Sequence, residues 1–322
     1  MDADKARIKV AVIIVSYNTR DLLMTCLSSV AASGAAIESE IVVIDNGSVD
    51  GSVSAVRARF SAVTVIDNAE NLGFGAACNQ GIKCTSAPLV LLLNSDAILS
   101  ITAFTELVHV MDSVPRCAAA GCAVLLSDGA AAVNTRNFLT PLNQAAESLG
   151  ASSVFAIRAL ERSYRPRLGS GSRDCALDWI DGACLMLRRS ALDEIGLFDE
   201  RFFMYSEDED LCYRLRERGW KVCYSARASV IHRGGASSRQ ERALNLRRFY
   251  ESQILFLQKH RGAKAVRWYI IGMRTVLALK QGWYSLSLTP DRKAEMHERS
   301  LALTAAVAST KHTGALTAHR SI

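Results

Sequence analysis

Long apolar runs are missing from this 322-residue chain. No window approaches the roughly 18 uncharged apolar residues that a membrane-spanning helix needs, so no spanning helix is expected. The polar start, Met1 to Lys9, leads into an apolar run, Val10–Val15, too short for the core of a secretory signal. Only five prolines beside 20 glycines exclude collagen-like and proline-rich linker architectures. There is no internal repeat and no low-complexity block. The nine cysteines (Cys26, Cys78, Cys84, Cys117, Cys122, Cys175, Cys184, Cys212 and Cys223) include no Cys-x-x-Cys pair and are odd in number. That pattern argues against a zinc site and suits free thiols acting as small hydrophobes in a reducing, cytoplasmic compartment. No Gly-x-Gly-x-x-Gly follows the first apolar run and no Gly-x-x-x-x-Gly-Lys-Ser/Thr occurs anywhere, which weakens dinucleotide-binding and P-loop readings.

What is present is globular: 49% of residues are hydrophobic and 22% charged. At roughly 100–200 residues per domain, the length allows one large or two ordinary domains. The net charge of +6 is unevenly placed. From Glu241 to the end there are 14 Lys and Arg against 5 Asp and Glu, a net +9, so the first 240 residues carry −3. A basic end on a mildly acidic body suggests an anionic partner or a solvated basic helix surface.

The first 125 residues alternate apolar, β-branched runs with helical patterns. Val10–Val15, Ile41–Ile44, Val63–Ile66 and Leu89–Leu93 read as strands buried on both faces. Arg20–Ala32, Gly51–Phe60 and Gly75–Lys83 are long enough for crossover helices, which predicts an α/β fold with a mostly parallel sheet. From Leu126 to Leu177 the pattern weakens, and Arg165–Asp174 reads as a loop or flap. A strand at Trp179–Arg188, a short helix at Ser190–Ile195 and a helix from Ser206 are expected next. Strands at Lys221–Tyr224 and Ala228–Ile231 and helices at Gln240–His260 and Ala263–Leu286 follow.

In an open parallel sheet, ligands bind beyond the carboxyl ends of the strands. Those positions hold Ser16-Tyr17-Asn18, Asp45-Asn46-Gly47-Ser48 and Asn94-Ser95-Asp96, with Asn71-Leu72-Gly73-Phe74-Gly75 before the fourth strand. Such residues also build ordinary turns, but four polar strand ends on one edge point to a site. Asp45 could accept hydrogen bonds from a nucleobase or ribose, and Asp96 could hold a hard divalent cation. The run Glu207-Asp208-Glu209-Asp210 suits a helix N-terminus, yet its apolar lead-in, Phe202-Phe203-Met204, predicts a partly buried carboxylate with a raised pKa, as a general base needs. His232 follows a strand, where a lone histidine is structural or a ligand.

At these residues the sequence resembles the family 2 glycosyltransferases of GT-A fold, and within them the bacterial rhamnosyltransferase-like branch. The resemblance is carried by Val12–Asn18, Ile44–Ser52, Asn71–Asn79, Leu93–Asp96, Gly196–Glu200, Glu207–Arg214 and His232–Ser237. It implies a nucleotide-sugar pocket with Asp45 on the nucleobase beside Ser16, Asn18, Asn71 and Gly73. Asn79, Asn94, Ser95 and Asp96 complete that pocket. It further implies Asp208 as catalytic base and Asp96 with His232 as ligands of a divalent cation, Mg2+ or Mn2+. Asn94 stands at the first position of the family's Asp-x-Asp-type motif, one carboxylate fewer. Trp179, Asp199 and Glu207 fall where acceptor contacts lie.

The resemblance also implies a GT-A catalytic domain over residues 1–262, a mostly parallel sheet flanked by helices, with a C-terminal helical extension and tail over 263–322. Expected partners are a dTDP- or UDP-sugar and a saccharide or polyprenyl-linked acceptor, with rhamnose suggested by the branch alone and no nucleic acid. On Ala263–Leu286, Tyr269, Met273, Val276, Leu277, Trp283 and Tyr284 share one broad face with Arg267 and Arg274 opposite. That helix either contacts the inner face of the cell membrane or packs on the protein. Two other classes stay open: a catalytically silent nucleotide-sugar-binding or membrane-associated assembly protein, and a nucleotidyltransferase. The latter lacks a basic, glycine-rich triphosphate loop after the first strand.

Overall fold

The four apolar runs become neighbouring parallel strands in a computed structural model. It describes residues 8–33, 39–132, 134–149, 173–174, 177–233, 242–286 and 290–317. The strands are β1 (Val10–Ser16), β2 (Ser39–Asp45), β3 (Thr64–Asp67) and β4 (Leu89–Asn94). Their spatial order is β3-β2-β1-β4, linked by helices α1 (Arg20–Ser33), α2 (Ser52–Arg59) and α3 (Phe74–Lys83). Burial on both faces explains the unbroken Val, Ile and Leu, since a polar ladder residue there would lose water without gaining a partner. Helix α3 lies so close to the sheet that a Cβ on Gly81 would stand 2.7 Å from Ile13 Cγ2.

Beyond β4 the sheet is mixed. Strand β11 (Cys184–Arg188) runs antiparallel between β4 and β6 (Cys117–Leu125), which follows α4 (Ala103–Ser113). Strand β12 (Lys221–His232) runs parallel to β6, and β5 (Ala97–Leu99) closes that edge antiparallel to β12. The small pieces β7 (Ala131–Ala132) and β9 (Arg173–Asp174) add to β6 and β12, while β8 (Thr135–Arg136) and β10 (Trp179–Ile180) pair separately. Thus β1, β2, β3, β4, β6 and β12 run one way and β5, β7, β9 and β11 the other.

The two strands expected at Lys221–Tyr224 and Ala228–Ile231 are one. Its register against β6 jumps between Ser225 and Ser229, a bulge in which Ser225 Oγ donates to Glu106 Oε1 and accepts from the Arg227 N–H. Cys26, Cys117, Cys122, Cys184 and Cys223 lie in the apolar core as free thiols. Most of the expected flap Arg165–Asp174, the motif portion Gly234–Ser237 and Cys175 fall outside the described residues.

The chain gathers into two compact units, Met1–Asn137 with Arg167–Phe203 and Glu207–Arg239, and Phe138–Pro166 with Met204–Ser206 and Gln240–Ile322. The sheet belongs to the first. The second contains α5 (Pro141–Leu149), α8 (Arg242–Leu286) and α9 (Pro290–Thr317). Helix α8 breaks at Gly262, which takes φ 80° and ψ 175°. Gln253 Nε2 donates to Gln144 Oε1 (3.0 Å) and Tyr269 Oη donates to Gln253 Oε1, tying α5 to both halves of α8. The expected single face on Ala263–Leu286 is divided: Tyr269, Met273, Val276 and Leu277 are buried, whereas Trp283 is exposed. Helix α9 accounts for part of this, packing Met296, Leu303, Ala306 and Val307 inward and accepting Gln281 Nε2 at the Met296 carbonyl. No helix among the described residues is long and apolar enough to cross a membrane.

Candidate active site

Strand register aligns the polar ends. Ser16 stands opposite Asp45, Asp45 opposite Asp67, and Val15 opposite Asn94. Ser16 Oγ meets Thr19 Oγ1 at 3.1 Å, and Thr19 Oγ1 meets Ser95 Oγ at 2.8 Å, a buried hydroxyl chain linking the ends of β1 and β4. Asn18, in the left-handed region at φ 51°, accepts the Val49 N–H at Oδ1 while its own N–H donates to Ser48 Oγ. Asp45 is buried and its Oδ2 accepts the Ser48 N–H at 2.7 Å. Burial raises its pKa, outweighing the Ser48 hydrogen bonds, and Asp67 and Asp50 add to the rise. Its Oδ1 is buried and meets no donor among the described residues. Such an atom is costly unless a ligand N–H or O–H reaches it.

The Asn71–Gly75 loop is held from both sides. Asn46 Nδ2 donates to Asn71 Oδ1 (2.9 Å) and to the Gly73 carbonyl (3.2 Å), while its Oδ1 accepts Asn68 Nδ2 and the Leu72 N–H. Gly73 has φ 88°, and a Cβ there would stand 2.4 Å from the Phe203 carbonyl oxygen, which accepts the Phe74 N–H. Buried Asn79 accepts the Phe198 N–H and donates to the Phe198 carbonyl and Glu200 Oε1. Its amide therefore fixes the Phe198–Phe203 turn. Asp199 is likewise engaged, in a fork with Arg201 and as acceptor of the Arg201 N–H. Trp179 Nε1 donates to the Asn137 carbonyl at 3.3 Å.

The antiparallel β5–β12 pair places His232 opposite Ala97 and so returns it to the end of β4. There His232 Nε2 lies 2.9 Å from Asp96 Oδ1, with Asn94 Nδ2 at 3.4 Å. Burial alone would lower the His232 pKa, but the Asp96 hydrogen bond and charge, with Asp181, raise it overall. Among the described residues no group of three His, Cys, Asp or Glu forms a cation site. One carboxylate and one imidazole 2.9 Å apart nevertheless fit two adjacent ligands of a divalent ion, which at about 2.1 Å from an octahedral centre are themselves about 3 Å apart. Other ligands would come from water or a bound diphosphate.

All four carboxylates opening α7 (Glu207–Glu217) are buried, and they divide by partner. Asp210 pairs with Arg214, whose guanidinium also holds the carbonyls of Ile195, the last residue of α6 (Arg189–Ile195), and of Gly196 and Leu197 just after it. That arrangement is structural. Asp208 instead accepts two backbone N–H groups, from Gly182 at Oδ2 (2.9 Å) and Glu209 at Oδ1 (2.8 Å). Burial first and the charge of Asp181 second push its pKa up to about 7, against those hydrogen bonds. Glu207 is driven well above the carboxylate range by burial, then by Asp208 and Asp181, and its Oε2 meets no donor among the described residues.

Asp181 and Thr19 were not singled out from the sequence, and Asn46 was named only as part of the Asp45–Ser48 strand end. Asp181, in the β10–β11 connection, accepts the Ala183 N–H, and its charge acts on Glu207, Asp208 and His232 together. The Ala183 carbonyl accepts the Asn94 N–H, so this connection joins the Asp96–His232 pair to the Asp208 carboxylate. Asp181-Gly182 after two apolar residues reads only as a turn in sequence. Position after a strand end was the one signal available.

Comparison with known proteins gives a consistent picture. The model of the family described as glycosyltransferase like family 2 matches residues 6–251. An N-acetylglucosaminyl-diphospho-decaprenol L-rhamnosyltransferase of Mycobacterium tuberculosis is 29% identical over 254 residues, 72% of this chain and 80% of the relative. The succinoglycan biosynthesis protein ExoU of Rhizobium meliloti is 27% identical over 256 residues, 76% of this chain and 68% of the relative. Among solved structures, the mannosyltransferase PcManGT of Pyrobaculum calidifontis, in complex with GDP-Man and Mn2+, superposes with a TM-score of 0.53 at 16% identity, covering 95% of this chain and 87% of that one. At that identity the likeness speaks for the fold alone, which is GT-A.

Proposed function

The chain belongs to the glycosyltransferase-like family 2 and is a glycosyltransferase; on that premise we propose that it transfers a sugar with inversion from a nucleoside diphosphate to a saccharide or polyprenyl-linked saccharide. The product belongs to a cell-surface polysaccharide. The observation that carries this reading is Asp208, a buried carboxylate held by two N–H groups with its pKa pushed up to about 7. A base with that pKa is about half ionised at neutral pH and strong enough to take a proton as a hydroxyl attacks.

The chemistry follows from the side chains. Asp45 Oδ1, the buried oxygen that meets no donor among the described residues, receives a nucleobase N–H, while Ser16 and the Asn46-braced Asn71–Gly73 loop line the nucleotide. Asp96 and His232 are the residues that would hold Mg2+ or Mn2+, which when bound neutralises charge gathering on the diphosphate. Asp208 accepts the acceptor's hydroxyl proton as that oxygen bonds to the anomeric carbon. The bond from that carbon to the diphosphate breaks on the opposite face, and its electron pair leaves with the phosphate oxygen. Burial and the charge of Asp208 push the Glu207 carboxyl well above the usual carboxylate range, which favours its O–H form as a donor to an acceptor oxygen. Asn79 and Asp199 position the Phe198–Phe203 turn.

A rhamnosyl donor and a polyprenyl-diphosphate acceptor are favoured because the Mycobacterium tuberculosis relative carries both in its name. Thermal-shift titration with dTDP-rhamnose, UDP-glucose, UDP-galactose and GDP-mannose, each with Mg2+ or Mn2+, tests the donor. One nucleotide sugar should stabilise the protein by mass action, and Asp45→Asn should weaken that effect at least tenfold. Failure of all four to bind would overturn the pocket.

A further inference from the structure

The second half of α8 carries opposite kinds of surface on its two sides. Tyr269, Met273, Val276 and Leu277 are buried on one. On the other, Trp268, Ile271, Leu279 and Trp283 stand 66%, 48%, 60% and 68% exposed. At about 100° per residue these four lie within about 60° of the direction of Trp268, and at 1.5 Å per residue the stripe runs about 22 Å along the axis. Exposed Lys264, Arg267 and Arg274 border it. From Ser252 to Pro290 the chain has no Asp or Glu at all, and Glu295 and Glu298 of α9 are paired with Arg242, Arg292 and Arg299.

We propose that this face docks on an anionic lipid surface. The helix lies in the interfacial plane, Trp268 and Trp283 enter the headgroup boundary, and Lys264, Arg267 and Arg274 meet lipid phosphates. Tryptophan suits that depth because its ring is apolar and its indole N–H still finds a polar partner. A second copy of the chain suits the face poorly. A two-fold contact would set each basic border against its own copy with no carboxylate on that stretch to oppose it. Docking here does not depend on the identity of donor or acceptor, so its failure leaves the transferase reading untouched.

Flotation of the full-length protein with vesicles of phosphatidylcholine alone, or containing phosphatidylglycerol, tests this. Wild type should bind the anionic vesicles at least tenfold more tightly, less so at high salt, with a blue shift in tryptophan emission. Each basic residue near such a surface is worth about fivefold, so Arg267→Glu with Arg274→Glu should weaken binding by about 25-fold or more. Trp268→Ser with Trp283→Ser should abolish it, while Leu301→Ser, at an exposed apolar site on α9, should change nothing. Matching circular dichroism establishes that the variants fold. Absence of vesicle binding by wild type, or equal loss in Leu301→Ser, overturns the proposal. So does a dimer that the tryptophan variant converts to monomer.

Discussion

Replacing Asp208 by Asn should remove catalysis and stabilise the protein at the same time. The folded state raises the Asp208 pKa from 3.8 to about 7, chiefly by burial. At 1.36 kcal/mol per pKa unit, holding this carboxylate ionised costs the folded protein about 4 kcal/mol relative to the unfolded chain. The sign is that of an acid whose folded pKa is raised: its contribution to stability is intact below pH 3.8, declines as pH rises, and is fully lost above about pH 7. Asn keeps the shape but accepts at one oxygen where the carboxylate accepts the Gly182 and Glu209 N–H groups at two. The lost acceptor costs about 1 kcal/mol. The net gain at pH 8 is about 3 kcal/mol, or roughly 6–12 °C in Tm for a body of about 200 residues. Near pH 4 only the lost hydrogen bond remains, so the variant is then equal or slightly weaker. Calorimetric melts of both proteins from pH 4 to 8 measure this directly. A difference in Tm that stays flat across that range, or a variant less stable at pH 8, would refute the argument.

Three further outcomes follow from the same contacts. Asp181→Asn keeps an acceptor for the Ala183 N–H but removes the charge that helps raise Asp208, so the rise of kcat/KM with pH should move to lower pH by about half a unit or more. Gly73→Ala puts a Cβ against the Phe203 carbonyl and forces alanine to φ 88° and ψ 167°, a region essentially reserved for glycine; that costs about 1–3 kcal/mol and the disturbed Phe74–Phe203 hydrogen bond about 1 more, readable by urea unfolding. Asn79→Ala orphans the Phe198 N–H and should destabilise by about 1–3 kcal/mol, while nucleotide-sugar affinity falls only as far as the Phe198–Phe203 turn loosens.

The parallel half of the fold was legible because burial on both faces leaves an unbroken apolar signature, and β1 to β4 lie within two residues of the expected runs. The other half was less so. Strand β5 has three residues, too few for any period, yet it delivers His232 to Asp96. The bulge at Ser225 interrupts the alternation that would have marked β12 as one strand. Helix α9 buries small Ala302 and Ala306 beside Leu303, a weak apolar stripe. At the site, a motif match located Asn79 and Asp199 but did not distinguish a ligand contact from a turn clamp, since both uses need the same polar side chain. Composition alone does not separate the four acids after Ser206; the resemblance names Asp208, and the contacts of Arg214 with Asp210 and of Gly182 with Asp208 give the physical distinction.

The role proposed for Asp208 is that of the base in an inverting transfer. It is tested most directly by incubating wild type and Asp208→Asn with dTDP-rhamnose, Mg2+ or Mn2+, and a polyprenyl-diphosphate N-acetylglucosamine acceptor, then assigning the new linkage by NMR. The product should carry the anomeric configuration opposite to the donor, with turnover by Asp208→Asn lower by roughly 10²–10⁴-fold and donor binding unchanged. A product of retained configuration, or a variant turning over near the wild-type rate, would contradict it.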